Sequence, residues 1–76
     1  MRPRAIEVET LENYILKIKF DNQEVKKFDV KPYLKYKAFE KLKDKKIFNT
    51  VKINGLSIAW INGEDICPDE LYSNSF

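Results

Sequence analysis

The sequence predicts an α+β domain built on an antiparallel sheet of five to six strands, with one central helix and a short C-terminal helix. Three observations predict this fold. Several segments alternate apolar and polar residues as half-buried strands do, one central segment has the helical spacing of apolar residues, and Asn-Gly pairs of the kind that join antiparallel strands occur twice. The 76 residues suffice for one domain, over residues 1–76, and not for two.

Three alternating segments begin the chain, and we expect them to form an antiparallel meander. They cover residues 5–10, 14–20 and 25–30. In the second segment the residues of the inward face are Tyr14, Leu16, Ile18 and Phe20, and Lys17 and Lys19 point to water. Phe28 and Val30 of the third should also point inward. The turn at residues 21–24 is predicted because Asp and Asn tolerate left-handed backbone.

The central segment predicts the helix. Pro32 ends the sheet pattern because proline lacks an N–H for a strand ladder, and residues 33–36 should form a short helical turn. Residues 37–43 then carry Ala38, Phe39 and Leu42 at helical spacing, with lysines on the opposite side. Because this helix is short, packing against the sheet must stabilise it.

The last third of the chain predicts a hairpin and a second helix. Strands are expected at residues 51–53 and 56–61, the latter with Leu56, Ile58 and Trp60 on its inward face. Asn62-Gly63 favours a type I′ turn, whose two central residues both need positive φ, before a short return strand at 64–66. Pro68 suits the first position of a helix, whose Leu71 and Tyr72 should face inward.

Charge is unevenly distributed, although the net charge is only +2. Residues 26–52 carry ten lysines against three acids, giving +7, whereas residues 53–76 carry four acids and no base. Such asymmetry can mark an interaction face, and a solvated lysine-rich surface gives the same pattern. None of the ten central bases is arginine, the side chain that bidentate base or phosphate recognition favours.

Side chains capable of catalysis are sparse. The chain has no histidine, which excludes Ser-His-Asp and Cys-His machinery and histidine metal sites. Cys67 has no candidate base beside it, so we interpret it as a small residue at a turn. Asp65 and Asp69 are explained by a hairpin and by a helix N-terminus, and an enzyme using them is retained as a third hypothesis. We therefore predict a protein that is not an enzyme, with no catalytic residue, no metal and no cofactor.

The location of the protein is predicted by what the sequence lacks. No apolar run approaches the ~20 residues of a membrane span, and no apolar stretch follows Arg2 and Arg4 as it would in a secretory signal. The single cysteine, Cys67, cannot form an internal disulfide. We expect a cytoplasmic protein.

The stretch from Trp60 to Tyr72 carries the most specific pattern of the chain. The positions that matter are Ile58, Trp60, Asn62, Gly63, Asp65, Ile66, Pro68, Asp69, Leu71 and Tyr72, preceded by Phe28, Asp29, Val30, Phe39, Leu42 and Phe48. Together they resemble the bacterial family known as domain of unknown function 2442, over nearly the whole chain. The resemblance implies an α+β fold without an established activity, and relatives often look like the antitoxin half of a two-gene pair.

Three positions depart from the family's usual residues. Gln23 stands where a turn glycine is frequent, and Lys37 replaces a frequent proline before the helix. Ile61 replaces a frequent proline after the tryptophan and so restores a backbone N–H, which could extend the pairing of that strand. These departures bear on local turn geometry.

Two functions are predicted beside the enzyme hypothesis. The first is an antitoxin-like protein-binding module whose partner is a small protein encoded nearby, with a homodimer formed by strand addition also compatible. Its candidate residues are Tyr33, Tyr36, Lys37, Lys41, Trp60, Asp65, Asp69 and Tyr72. The alternative is nucleic-acid binding through the lysine-rich segment 26–52, where lysines would meet phosphates and tyrosines would stack on bases. Its candidate residues are Lys26, Lys27, Lys31, Lys35, Lys37 and Lys41.

Overall fold

The computed structural model describes residues 3–76. Met1 and Arg2, which belong to the N-terminal stretch predicted not to be a secretory signal, lie outside the described residues. The fold is α+β, with two three-stranded antiparallel sheets in the strand orders β1-β2-β3 and β4-β5-β6. The strands are β1 (Ala5–Thr10), β2 (Ile15–Phe20), β3 (Val25–Asp29), β4 (Lys52–Asn54), β5 (Ser57–Ala59) and β6 (Asp65–Ile66). The α-helices are α1 (Lys45–Phe48) and α2 (Pro68–Asn74), and 3-10 helices cover Glu12–Tyr14, Lys31–Tyr33 and Lys37–Lys43.

The prediction of one sheet of five to six strands is therefore wrong. The strands of the second sheet have only three, three and two residues, too few to continue the longer ladder of the first. Between the sheets one backbone hydrogen bond is made by the N–H of Ala5 to the carbonyl of Leu56, at 3.4 Å. The two sheets instead share a core, to which Leu16 and Ile18 of the first and Ile58 of the second all contribute.

A β-bulge sets which side of β1 faces this core. Ala5 pairs with Phe20 and Glu7 with Lys19, so Ile6 is the extra residue. Because of the bulge, Ala5 is buried and Ile6 is 40% exposed, and Val8 returns to the core side. The strand predicted at residues 5–10 is confirmed, but simple alternation does not describe it.

The rest of the meander follows the predicted pattern. In β2, Leu16, Ile18 and Phe20 are buried, as predicted from their alternation with the lysines. Phe28 and Val30 are likewise buried at the end of β3. This sheet thus presents one apolar face to the core and one charged face to solvent.

Two hairpin turns share one geometry, which the sequence did not predict. In the first, Gln23 N–H donates to the Phe20 carbonyl at 3.0 Å, Phe20 N–H donates to the Glu24 carbonyl at 2.8 Å, and φ of Gln23 is 77°. Asp21 and Asn22, the expected left-handed residues, do not have positive φ. Asn22 instead accepts the Glu24 N–H on its side-chain oxygen at 3.0 Å.

The second turn repeats this pattern forty residues later in the chain. Gly63 N–H donates to Trp60 at 3.0 Å, Trp60 N–H donates to Glu64 at 2.9 Å, and Asn62 Oδ1 accepts from Glu64 N–H at 3.3 Å. Only Gly63, at φ 91°, is left-handed. The predicted type I′ turn is therefore wrong: both are three-residue loops that end in a left-handed residue.

The hydrophobic strand of the second sheet is buried on both faces. Ser57, Ile58, Ala59 and Trp60 are consecutive buried residues. Leu56, predicted to face inward, is 57% exposed because it lies in the turn opened by Gly55. The strand ends at Ala59 and does not extend through residue 61, whose N–H donates to the Thr50 side chain at 3.1 Å.

The predicted central helix is a 3-10 helix over Lys37–Lys43, followed by the four-residue α1. With three residues per turn, Phe39 and Leu42 share one face, and Leu42 is fully buried while Phe39 is half-buried. Ala38, which α-helical spacing would place beside them, is exposed. The turn predicted at residues 33–36 is present, closed by the hydrogen bond from Tyr36 N–H to the Tyr33 carbonyl at 3.0 Å, and a 3-10 helix over Lys31–Tyr33 precedes it.

The C-terminal helix closes the core. Pro68 occupies its first turn as predicted, and Leu71 is fully buried against β5. Tyr72 is half-buried, with its ring 5.1 Å from that of Phe20. Beyond the helix, Phe76 exchanges two backbone hydrogen bonds with Lys27 of β3, at 2.7 and 2.8 Å, so the last residues lie along the outer edge of the first sheet.

Candidate partner-binding groove

An aromatic groove of about 610 Å³ lies between β3, the 3-10 segments after it and α2. We call it the aromatic groove. It is lined by Phe28, Asp29, Pro32, Tyr33, Lys35, Tyr36, Phe39, Glu70, Asn74 and Phe76. Two stretches far apart in sequence, residues 28–39 and 70–76, therefore build one apolar concavity.

Tyr33 anchors the floor of the aromatic groove. Its ring lies 5.4 Å from that of Phe28 and 5.6 Å from that of Phe39. Its hydroxyl donates to Glu70 Oε2 at 2.5 Å and accepts from Asn74 Nδ2 at 3.1 Å. Burial, followed by the hydrogen bond to the Glu70 carboxylate, raises the pKa of Tyr33. Tyr33 thus fixes α2 to the wall of the groove and stays neutral.

Two exposed rings form the rim. Tyr36 is 54% exposed and Phe76 is 69% exposed. The Lys35 ammonium lies 5.4 Å from the centroid of the Tyr36 ring, which is within cation–π range. The Tyr36 hydroxyl has no hydrogen-bond partner among residues 3–76. The rim therefore offers aromatic surface that the fold does not use.

The two carboxylates of the aromatic groove differ in their partners. Asp29 forms an ion pair with Lys31 at 3.0 Å, and Lys31 Nζ also donates to the Asn13 carbonyl at 2.7 Å. Glu70 accepts the Tyr33 hydroxyl and forms no ion pair with a lysine or arginine of residues 3–76. One of the two charges is therefore neutralised within the fold.

Tyr72, also predicted to bind a partner, lies outside the aromatic groove and joins α2 to the first hairpin. Its hydroxyl donates to Glu24 Oε1 at 2.5 Å, and Lys26 Nζ lies 4.1 Å from its ring centroid. The Tyr72 hydrogen bond, with a second one from Asn22, lowers the pKa of Glu24, and the same carboxylate raises the pKa of Tyr72. Its contacts are those of a structural residue.

The other predicted partner-binding residues are scattered. Trp60 is 2% exposed, and its indole N–H donates to the Phe48 carbonyl at 3.0 Å, so its side chain belongs to the core and is not available at the surface. Asp65 lies on β6 and Asp69 in the first turn of α2, both exposed and neither lining the groove. Of the predicted set, the structure brings Tyr33 and Tyr36 together in the groove.

The six predicted nucleic-acid-binding lysines do not form one patch. Lys26 points to the core side of β3, over Tyr72, whereas Lys27 is on the opposite, solvent face. Lys31 is engaged with Asp29. The remaining three, Lys35, Lys37 and Lys41, are exposed in and beside the groove.

Sequence reasoning missed much of the lining. The alternation predicts Phe28 only as a core residue and does not single out Glu70. Phe76 follows the last predicted element and carries no periodic signal, and its place in the groove comes from the backbone pair with Lys27. A pattern that identifies faces of single elements cannot show that residues 28–39 and 70–76 meet.

Two further searches of the described residues bear on function. Within residues 3–76 no group of three or more His, Cys, Asp or Glu side chains could hold a metal ion. None of the helices in this part of the chain is long and apolar enough to cross a membrane.

Comparison with known proteins gives one match. The model of the family described as "Protein of unknown function (DUF2442)" matches residues 5–76, which covers both sheets, α2 and every residue of the groove. No curated protein matches the chain, and no solved structure matches it.

Proposed function

The chain belongs to the DUF2442 family, whose description assigns no activity, and we propose that it is a protein-binding module without catalytic activity whose binding surface is the aromatic groove. The observation that carries this proposal is the exposed Tyr36 ring at the rim. Tyr14, Tyr33 and Tyr72 each donate their hydroxyl to a group of the fold. Tyr36 has no such bond among the described residues, so its amphipathic surface is left for a partner.

The composition of the groove supports a protein partner. Energetically dominant residues of protein interfaces are enriched in tyrosine and other aromatics and occupy packed, desolvated positions. The floor of the groove is formed by Tyr33 on Phe28 and Phe39, and Tyr33 is held there by its hydrogen bonds with Glu70 and Asn74, so binding need not order it. An anchor side chain of a partner would gain buried area at Tyr36 and Phe76 at little entropic cost.

The absence of catalysis is supported by how the acidic groups are used. Glu70 accepts a tyrosine hydroxyl and Asp29 is paired with Lys31. Asp65 and Asp69, the pair of the enzyme hypothesis, do not line the groove.

We further propose that the partner is a small protein encoded beside this chain, with this chain as the antitoxin-like member that occupies it. The test is co-expression of the two proteins and size-exclusion chromatography at micromolar concentration. Co-elution that is lost in Tyr36→Ala and kept in Ile61→Ala would support the proposal, because Ile61 is 75% exposed and lies outside the groove. Separate elution of the wild-type proteins would refute the choice of partner, and unchanged co-elution of Tyr36→Ala would refute the binding surface.

Nucleic-acid binding is the second candidate, favoured by the exposed lysines around the groove. Such binding would weaken steeply with salt because phosphate contacts release counterions. Undetectable binding of a labelled single-stranded oligonucleotide at 50 mM salt would reject it.

A further inference from the structure

We propose that the occupant of the aromatic groove is an acidic segment of a protein, which seats one apolar side chain between Tyr36 and Phe76 and places its carboxylates against Lys35, Lys37 and Lys41. This inference rests on the proposed function and adds the chemistry of the partner. It is drawn from the charges around the groove.

The segment that forms this side of the groove is strongly positive. Residues 31–46 contain seven lysines against Glu40 and Asp44, which leaves +5. Asp44 is in addition used as the N-cap of α1, where its Oδ1 accepts from Lys46 N–H at 2.9 Å. Lys31 is paired with Asp29, but the other six lysines form no ion pair within residues 3–76, so the segment attracts an acidic surface from a distance of about 8–10 Å at moderate salt.

The three lysines nearest the groove are available to a partner. Lys35, Lys37 and Lys41 form no ion pair with a carboxylate of residues 3–76. Lys35 itself lines the groove. Lys37 and Lys41 are exposed and lie two residues before and two residues after the lining residue Phe39 in the same 3-10 helix. Acidic residues that flank an apolar anchor would meet a lysine on both sides.

The same geometry favours an acidic protein segment over a nucleic acid. The groove contains Asp29 and Glu70, and Glu70 has no cationic partner among the described residues. A nucleic-acid strand carries a phosphate at every nucleotide and would bring some of them against these carboxylates. A protein segment can place uncharged residues there and keep its acidic residues for the lysines.

The residue types that the aromatic groove binds can be determined by selection from a displayed library of random 12-residue peptides. The library is selected on the wild-type protein and counter-selected on Tyr36→Ala, whose folding is checked by the fluorescence of the buried Trp60. We expect the recovered peptides to be enriched in Asp and Glu around an aromatic or aliphatic residue. Enrichment in Lys and Arg, or in uncharged sequences, would overturn the acidic partner and leave the protein-binding function standing.

The lysines are then tested with one recovered peptide by fluorescence polarisation at 50 mM salt. The triple variant Lys35→Gln, Lys37→Gln, Lys41→Gln should raise Kd about tenfold, since each exposed charge pair contributes modestly. The matched control, Lys45→Gln, Lys46→Gln, Lys52→Gln, removes the same charge outside the groove lining and should change Kd less than about threefold. Equal effects of the two variants would overturn the assignment of these lysines.

Two other outcomes distinguish failure of the proposed protein-binding function from failure of the acidic partner. If no recovered peptide distinguishes the wild type from Tyr36→Ala, the groove does not bind protein segments and the proposed function itself fails. If a 12-nucleotide single strand binds in a manner that depends on Tyr36 and displaces the peptide, the nucleic-acid candidate replaces the acidic protein segment.

Discussion

The two hairpin turns make a matched pair: both have Asn before the left-handed residue and Glu after it, but the left-handed residue is Gln in one and Gly in the other. Gln23, at φ 77°, and Gly63, at φ 91°, hold the same position of the same loop. Left-handed backbone costs an L-residue about 1–2 kcal/mol and costs glycine almost nothing. We therefore predict that Gln23→Gly stabilises the protein and that Gly63→Ala destabilises it.

The magnitude follows from the surroundings of each residue. At Gly63 an added Cβ meets no atom within 4 Å, so the cost of alanine there is the backbone conformation alone. Glycine in the unfolded chain is more flexible, and this offsets about 0.4–1 kcal/mol of the gain or loss. The free energy of unfolding should change by about 0.5–1 kcal/mol, upward in Gln23→Gly and downward in Gly63→Ala, which corresponds to about 4 °C in Tm for a domain of this size.

Urea unfolding followed by the fluorescence of Trp60, the single tryptophan and 2% exposed, measures both changes. The double variant should return close to the wild-type free energy of unfolding, because the two turns lie in different sheets and their effects should add. Destabilisation by Gln23→Gly, or a neutral Gly63→Ala, would contradict the left-handed assignment of that turn.

Three further predictions concern other parts of the fold. The Tyr72 hydrogen bond lowers the pKa of Glu24 from its ordinary 4.5, so the ionised carboxylate stabilises the fold above pH 4.5 and this stabilisation is lost as pH falls through the lowered pKa. In a plot of the unfolding midpoint against pH, Glu24→Gln should therefore flatten the slope below pH 4.5, and an unchanged slope would contradict a stabilising role of the Glu24 carboxylate. Deleting residues 75–76 uncovers the edge of β3, and we expect concentration-dependent dimers in sedimentation analysis, whereas a strictly monomeric deletion variant would show that this edge does not drive association. Ser57 is 5% exposed and its hydroxyl has no partner within residues 3–76, so Ser57→Ala should be neutral or stabilise by about 1 kcal/mol in urea unfolding; a clear loss would reveal a hydrogen bond through bound water.

The sequence predicted best where one face of one element is buried. Alternation alone located β2 and its inward Leu16, Ile18 and Phe20, because a two-residue period can only mean one half-buried strand face. Alternation did not predict that Ile6 and Leu56 are exposed. The bulge that turns Ile6 outward and the turn that exposes Leu56 are set by pairing with other strands, and that information lies elsewhere in the chain.

Only some of the residues that line the groove could be predicted, for the same reason. Tyr33 and Tyr36 are predicted as partner-binding residues because they lie beside the central helix, and both line the groove. Trp60 was chosen from the most specific stretch of the sequence, yet its specificity is structural, since its N–H satisfies the Phe48 carbonyl. Which aromatic residue is exposed depends on whether the fold supplies a partner for its polar atom, and that is a tertiary property.

The type of the central helix connects the charge pattern to the groove. In an α-helix, residues four apart lie about 40° from each other around the axis, so Lys37 and Lys41 would lie on one face and repel each other by about 0.2–0.5 kcal/mol. In the 3-10 helix observed over Lys37–Lys43, residues four apart lie about 120° from each other. That geometry separates Lys37 from Lys41 and places Glu40 on the same face as Lys37 and Lys43, while Leu42 stays in the core and Phe39 stays packed against it. Lys37 and Lys41 then lie before and after the lining residue Phe39, where carboxylates of a partner would relieve the repulsion that remains.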